Sequence, residues 1–376
     1  MTLIQAGAVA LGDQLCRPGW LHIDDGRIAG CGAGPAPSHA DAVFPEALVV
    51  PGFVDIHCHG GGGASYADAD GIDRAAAFHR QHGTTTTLAS LVTDTPSGLL
   101  ASVGALATAA RAGSIRGIHL EGPWLSAARC GAHAADLLRH PDLGEIEALL
   151  TAADGSIRMV TLAPELPGAD AAIRRLTKAG VVVAVGHTDA SYEQTQHALS
   201  LGATVGTHLF NAMPPVHHRE PGPVPALIGD REVTVELIAD GVHLHSAVID
   251  MVVAAAGPGR VAAITDATPA AGLDDGPSRL GSLEVSVTDG VARIRGTSTI
   301  AGSTATMDQI FRALAANRSD AELLAATQMT STTPARALGL PGIGVLRPGF
   351  AADLVVLQED LRVAAVMRAG RWVRSR

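Results

Sequence analysis

The stretch VVPGFVDIHCHGGGG, residues 49–63, places two histidines around one cysteine at the end of an apolar run and follows them with four glycines. In an extended strand successive side chains face opposite ways, so His57 and His59 point to one side and Cys58 to the other. Such a strand end is either a pair of hydrogen-bonded core histidines or part of a metal site. The choice depends on whether the rest of the chain delivers similar residues to the same place.

Moving outward, the pattern repeats. Apolar, β-rich runs at 47–59, 84–92, 115–122, 157–165, 181–189, 203–213, 233–243 and 261–268 alternate with helical stretches such as DRAAAFHRQHG, AAIRRLTKAG and YEQTQHALSLG, several closing on glycine as helix C-caps do. Eight strand–helix repeats, with no GxGxxG after the first strand, predict a TIM (β/α)8 barrel over 49–342 rather than an open doubly wound sheet. Residues 1–48 and 343–376 hold short β-like pieces with Gly and Pro turns, and predict a small β-sandwich domain built from both chain termini. The segment SLEVSVTDGVARIRG, 282–296, predicts a hairpin that turns on Asp-Gly.

Bulk composition narrows the class. Hydrophobic residues make up 47% of the 376 and charged ones 17%, which supports a sizeable buried core and excludes a disordered chain. A formal charge of −10 speaks against nucleic acid or an anionic membrane surface as partner, while leaving room for a local cationic pocket. No apolar run reaches the length of a membrane helix and the first residues lack a basic region ahead of an apolar stretch, so the expected location is cytoplasmic. Cys16, Cys31, Cys58 and Cys130 form no CxxC pair and are expected as reduced thiols.

Barrel chemistry sits at the C-terminal ends of the strands. Strand one ends with His57 and His59, strand three with Glu121, strand five with His187, strand six with His208 and strand eight with Asp266. Four imidazoles and two carboxylates without a cysteine suit zinc, iron, manganese or cobalt, one ion or two. A carboxylated lysine cannot bridge a pair, because the single lysine, Lys178, precedes the opposite end of strand five; a bridge would fall to Glu121. Asp266 reads either as a turn residue or as a carboxylate that accepts a water proton and returns it to a leaving group.

The segments PGFVDIHCHG, HLEGPWL, VGHTDA, THLFNAMPPVHHREPG, ITDAT and AGST occur in this order, and with them the chain resembles the amidohydrolase superfamily, within it the family of N-acetylglucosamine-6-phosphate deacetylases. The resemblance runs from strand one to LRPGFAADLVVL near the C-terminus. It implies a metal held by Glu121, His187 and His208, and a second, with zinc the first expectation, held by His57 and His59 with Glu121 bridging and Asp266 close by. It further implies Asn211, Ala212 and Arg219 as contacts to a substrate phosphate, Arg219 acting across a homodimer interface. His243 is implied as a ligand of sugar hydroxyls and His133 as a donor to the amide carbonyl. The substrate so implied is a small amino-sugar phosphate that loses its N-acetyl group.

An ordinary surface position is the lesser alternative for each of Arg219, His243 and His133, and the functional reading is the one expected. His217 and His218 carry no assignment, and Cys130 is expected as a bystander near the mouth. Two rival functions stand beside the first: another amidohydrolase acting on a cyclic amide or a deaminase substrate, and a silent barrel scaffold. All six strand-end residues are present, which weighs against the scaffold.

Overall fold

In the computed structural model, which describes residues 1–374, eight strands hydrogen-bond to one another in chain order: Phe53–Asp55, Thr84–Leu91, Gly117–Glu121, Ile157–Leu162, Val182–Val185, Ala203–Gly206, Thr234–Ile238 and Val261–Ile264. The backbone just beyond the last strand returns to the first. Asp266 N donates to His57 O at 2.9 Å, His59 N donates to Ala267 O at 2.8 Å, and Cys58 pairs with Ala267 in parallel register, so the ring is nearly closed. Every residue of the second, third, seventh and eighth strands is buried. A parallel strand covered on both faces has no solvent side, and any polar group within it needs a partner or a function.

Local signals start and stop the intervening helices. Thr95 Oγ1 accepts the Gly98 N–H ahead of Pro96, and Gly113, at φ 82°, ends that helix in the left-handed region. Ser191 and Gln194 form a reciprocal capping box at the start of Tyr192–Ser200. The helix Ala169–Lys178 ends just before the N-terminal end of the fifth strand, so Lys178 lies at the end away from His187, as its spacing requires. No helix among the described residues is long and apolar enough to cross a membrane.

The terminal segments build an antiparallel-rich sheet of eight strands, whose main path runs Arg371–Arg374, Val363–Arg368, Leu354–Leu357, Ala42–Pro51, Thr2–Leu11, Gly19–Asp24 and Arg27–Ala33, with Gln14–Cys16 added on Thr2–Leu11. The sandwich is this one sheet curled over on itself. Leu21, Ile23 and Ile28 from one end share a core with Leu354, Val356 and Met367 from the other, and Ile28 N donates to Phe350 O.

The chain divides into two compact units, Met1–Asp55 with Ala77–Thr86 and Thr306–Arg376, and Ile56–Ala76 with Thr87–Ala305. The first is larger than the 1–48 plus 343–376 expected from sequence. The reason is packing: Met307, Phe311, Leu323 and Ala326, from the helices Met307–Leu314 and Asp320–Thr327, share one apolar cluster with Ala8, Ala10, Leu48, Val50, Val355 and Leu357. The apolar run 47–59 is likewise not one strand. Ala42–Pro51 belongs to the terminal sheet and Phe53–Asp55 to the barrel, with Gly52 between them, where a Cβ would stand 2.2 Å from Thr85 Oγ1. After strand eight the expected hairpin is part of a three-stranded sheet, Gly276–Leu280, Leu283–Thr288 and Val291–Ile294. Its turn residues Asp289 and Gly290 both have positive φ, as a two-residue hairpin turn demands.

Candidate metal centre

The six strand-end residues converge in the second compact unit, and all are buried. Glu121 stands at the centre. Its Oε1 lies 3.1 Å from His187 Nε2, 3.0 Å from His208 Nε2 and 3.3 Å from His57 Nε2; its Oε2 lies 3.1 Å from His59 Nε2. Asp266 Oδ1 lies 3.1 Å from His59 Nε2 and 3.4 Å from His57 Nε2. Two histidine pairs therefore share one carboxylate, and Asp266 belongs to the His57/His59 side.

The far edges of the rings define the tautomers. His59 Nδ1 faces Ser90 O at 3.2 Å, His187 Nδ1 faces Arg129 O at 3.0 Å, and His57 Nδ1 faces a Glu236 carboxylate oxygen at 3.1 Å. Each of these is an acceptor, so each Nδ1 carries a hydrogen, and in the neutral ring, the form that binds a metal, Nε2 offers a lone pair inward. In that neutral form the lone pairs of His57 and His59 meet at 3.2 Å, a repulsive arrangement that a cation between them relieves. His187 Nε2 and His208 Nε2 are 3.1 Å apart. Ligands about 2.0–2.1 Å from a tetrahedral ion stand about 3.3 Å from each other, so these separations fit a metal.

His133 differs. Its Nε2 lies 3.4 Å from Glu121 Oε2, and proximity alone would admit it as a ligand, since Glu121, His133 and His187 offer atoms within 4.8 Å of one another. Its Nδ1, however, accepts the backbone N–H of Thr93 at 3.2 Å and lies 2.9 Å from Thr93 Oγ1. An accepting Nδ1 leaves the hydrogen on Nε2 in the neutral ring. His133 is therefore a donor aimed at the pocket.

Electrostatics separate His57 and His59 from His133. Burial opposes charge on His59, yet its hydrogen bonds with Asp266 and Glu121 outweigh burial and push its pKa up to about 9; His57 is raised well above the usual range by the charges of Glu121 and Asp266 against the same opposition. Burial works against Asp266 as well, but His57 and His59 hold it at about 2, an ionised carboxylate. For His133 burial dominates, joined by the neighbouring His187, and its pKa falls to about 4, so the ring stays neutral. The carboxylates thus favour positive charge along the ligand histidines, the field that a divalent ion would meet.

Backbone strain is concentrated here. His187 (φ 47°), His208 (φ 25°), Ala212 (φ 52°) and Asp266 (φ 48°) all have positive φ, which costs a non-glycine residue about 1–3 kcal/mol and persists where surrounding structure enforces it. For Asp266 the enforcing element is AGST, residues 301–304. Ser303 N donates to Asp266 O at 2.7 Å, and at Gly302 (φ 57°) a Cβ would stand 2.7 Å from that same oxygen.

Around the cluster lies a cavity of ≈ 310 Å³, lined by His59, Glu121, His133, His187, His208 and Asp266, with Asn211, Ala212, His243 and, from the segments after strand eight, Leu280, Ile300 and Gly302. Asn211 Nδ2 is engaged with the backbone, donating to His208 O and Leu209 O. His243 is held by Asp240, whose Oδ2 lies 2.7 Å from Nδ1 and whose Oδ1 accepts two backbone N–H groups. Arg219 does not line the cavity of its own chain; it is exposed, with a guanidinium nitrogen 2.7 Å from His218 Nε2. Cys58 is buried with its thiol toward Gly60 O, and Cys130 is half-buried.

Sequence reading missed several supporting groups: Glu236, Asp240, Thr93 and the buried His119, which lies between Ser90 Oγ (2.9 Å) and Thr161 Oγ1 (2.8 Å). A carboxylate inside VTVELIA and an imidazole inside IRGIHLEG were the available signals, because polar groups in fully buried strands rarely lack a role.

Residues 48–373 match the amidohydrolase family model. The chain belongs to the amidohydrolase family. This amidohydrolase is similar to the N-acetyl-D-glucosamine-6-phosphate deacetylase of Mycobacterium smegmatis, with 54% identity, a TM-score of 0.97 and 100% of each chain covered. A mutant of that protein, in complex with N-acetyl-D-glucosamine-6-phosphate, superposes with a TM-score of 0.98 at 54% identity, covering 100% of this chain and 99% of that one. Among curated relatives, the N-acetylgalactosamine-6-phosphate deacetylase of Escherichia coli O157:H7 is 36% identical over 371 residues, 95% of this chain and 96% of its own.

Proposed function

We propose that this amidohydrolase removes the N-acetyl group of N-acetylglucosamine 6-phosphate, giving glucosamine 6-phosphate and acetate. The observation that carries the reading is the pairing of two unlike functions around one carboxylate: inward lone pairs on the ligand histidines, and one neutral histidine, His133, with its hydrogen directed inward. Glu121, His187 and His208 would hold one divalent ion, and His57 and His59, with Glu121 shared and Asp266 beside them, a second; zinc is the metal proposed first. Metal bound there supplies Lewis-acid polarisation of the amide carbonyl and acidifies the attacking water.

The chain's own groups do the rest. Asp266, ionised and at the cavity wall, takes the water's proton as the new C–O bond forms, and hands it to the amide nitrogen as the C–N bond breaks. His133 donates from Nε2 to the carbonyl oxygen as charge develops on it. His243, clamped by Asp240, meets sugar hydroxyls. Asn211 and Ala212 form the wall against which the phosphate rests, and Arg219, exposed on its own chain, binds the phosphate in a partner's cavity of a homodimer, where its planar fork suits phosphate oxygens. The proposed location is the cytoplasm.

The galactosamine relative, matched over 95% of this chain, makes the C4 epimer the one competing substrate to test. Acetate release should be compared among both N-acetylhexosamine 6-phosphates and unphosphorylated N-acetylglucosamine. The reading expects the glucosamine phosphate to give the highest kcat/KM; a higher value for the galactosamine phosphate would reassign the sugar, and equal turnover without phosphate would remove the Arg219 role.

A further inference from the structure

Glu236 lies fully buried in the seventh barrel strand and has no part in the chemistry above. Burying a carboxylate is costly unless partners compensate it, and here one oxygen has them all. Oε2 lies 3.1 Å from His57 Nδ1 and accepts the backbone N–H of His208 at 3.3 Å; Oε1 is buried without a hydrogen-bond partner among the described residues. The two contacts differ in kind. At His57 it is the imidazole that is held, whereas at His208 it is only the backbone.

We infer that Glu236 is the positioning residue that turns the His57/His59 pair into a metal position of its own, an inference that rests on the two-metal reading above. The carboxylate fixes His57 with its hydrogen on Nδ1, so that the neutral ring presents a lone pair from Nε2, and acceptors of this kind raise ligand basicity. The His187/His208 position, touched only through a backbone N–H, should bind its ion as before.

The test is metal binding itself. Wild-type protein and Glu236→Gln are stripped with a chelator, titrated with zinc, and read by calorimetry and by elemental analysis after dialysis; cobalt(II) absorption reports ligand geometry. The expected result is an unchanged first equivalent and a second weakened about 10–100-fold, as for other groups that hold a metal-binding histidine. Two equivalents bound by Glu236→Gln at wild-type affinity would overturn the inference while leaving the two-metal reading intact. A wild type that takes one equivalent would instead overturn the two-metal reading. Should Glu236→Gln fail to fold, Glu236→Asp keeps the charge but draws it back from His57 Nδ1; the second equivalent should again weaken, and wild-type affinity there would refute the positioning role.

Discussion

Replacing His133 by Phe tests the division between ligands and donor. The ring keeps its approximate volume among Thr93, Glu121 and His187 but loses both nitrogens. Two costs follow, and they separate. Thr93 N–H loses the acceptor it reaches at 3.2 Å in a buried setting, which should lower stability by about 1–3 kcal/mol. The pocket loses the N–H proposed to meet the developing oxyanion, and removing such a donor typically reduces kcat by about 10²–10³, or about 2.7–4 kcal/mol of barrier. Metal content should not change, because Nε2 carries a hydrogen and is no ligand. Acetate release, zinc by elemental analysis and a thermal melt on the same preparation read all three. His133 sits at about pKa 4 because of burial and the neighbouring His187, so it stays neutral and donating from about pH 5 upward, and no acid limb of the wild-type rate above that pH should come from it. Turnover close to wild type would refute the donor role. Loss of a metal equivalent would show that the tautomer argument fails and that His133 is a ligand.

Three further outcomes are expected. Asp266→Asn should fold and keep its metal yet lose about 10²–10⁴ in kcat, since the amide cannot accept the water's proton; near-normal acetate release would discard the assignment. Chelation should lower the thermal midpoint and added zinc should restore it, because an ion that binds the folded state stabilises it; an unchanged midpoint in protein shown to be stripped would contradict a built metal site. In the first compact unit, burial disfavours the Asp308 carboxylate, but hydrogen bonds with His82, Thr306 and Arg312 hold it well below the usual range. Because its folded pKa is depressed, that contribution is present above about pH 4 and is lost as pH falls toward the folded value. Asp308→Ala should therefore cost about 2–4 kcal/mol in a pH 7 denaturant melt and flatten the acid side of the stability curve; an unaltered acid side would refute the coupling.

The six strand-end residues were legible because a parallel barrel strand is apolar along its length, so a histidine or carboxylate at its end stands out against the run. His57 and His59 were legible as a pair through the two-residue period of a strand. Glu236 was not, although it lies in an equally apolar run, because its partners are the His57 ring and the His208 backbone, far away in sequence, and no local spacing announces them. The division of the chain was obscured for a similar reason. Met307–Leu314 has the amphipathic pattern of a barrel helix, and nothing in that pattern says that Phe311 packs with Val50 and Val355 of the terminal sheet. Arg219 shows a further limit, since its fork does not line the cavity of its own chain and the phosphate role proposed for it needs a second copy of the chain.

The most direct test of the central claim is acetate release from N-acetylglucosamine 6-phosphate by metal-stripped protein as zinc is added back, with unphosphorylated N-acetylglucosamine run in parallel. The account predicts negligible release at the start, recovery as metal is restored, and a strong preference for the phosphorylated sugar. Full activity in stripped protein, or equal release from both sugars in metal-loaded protein, would contradict it.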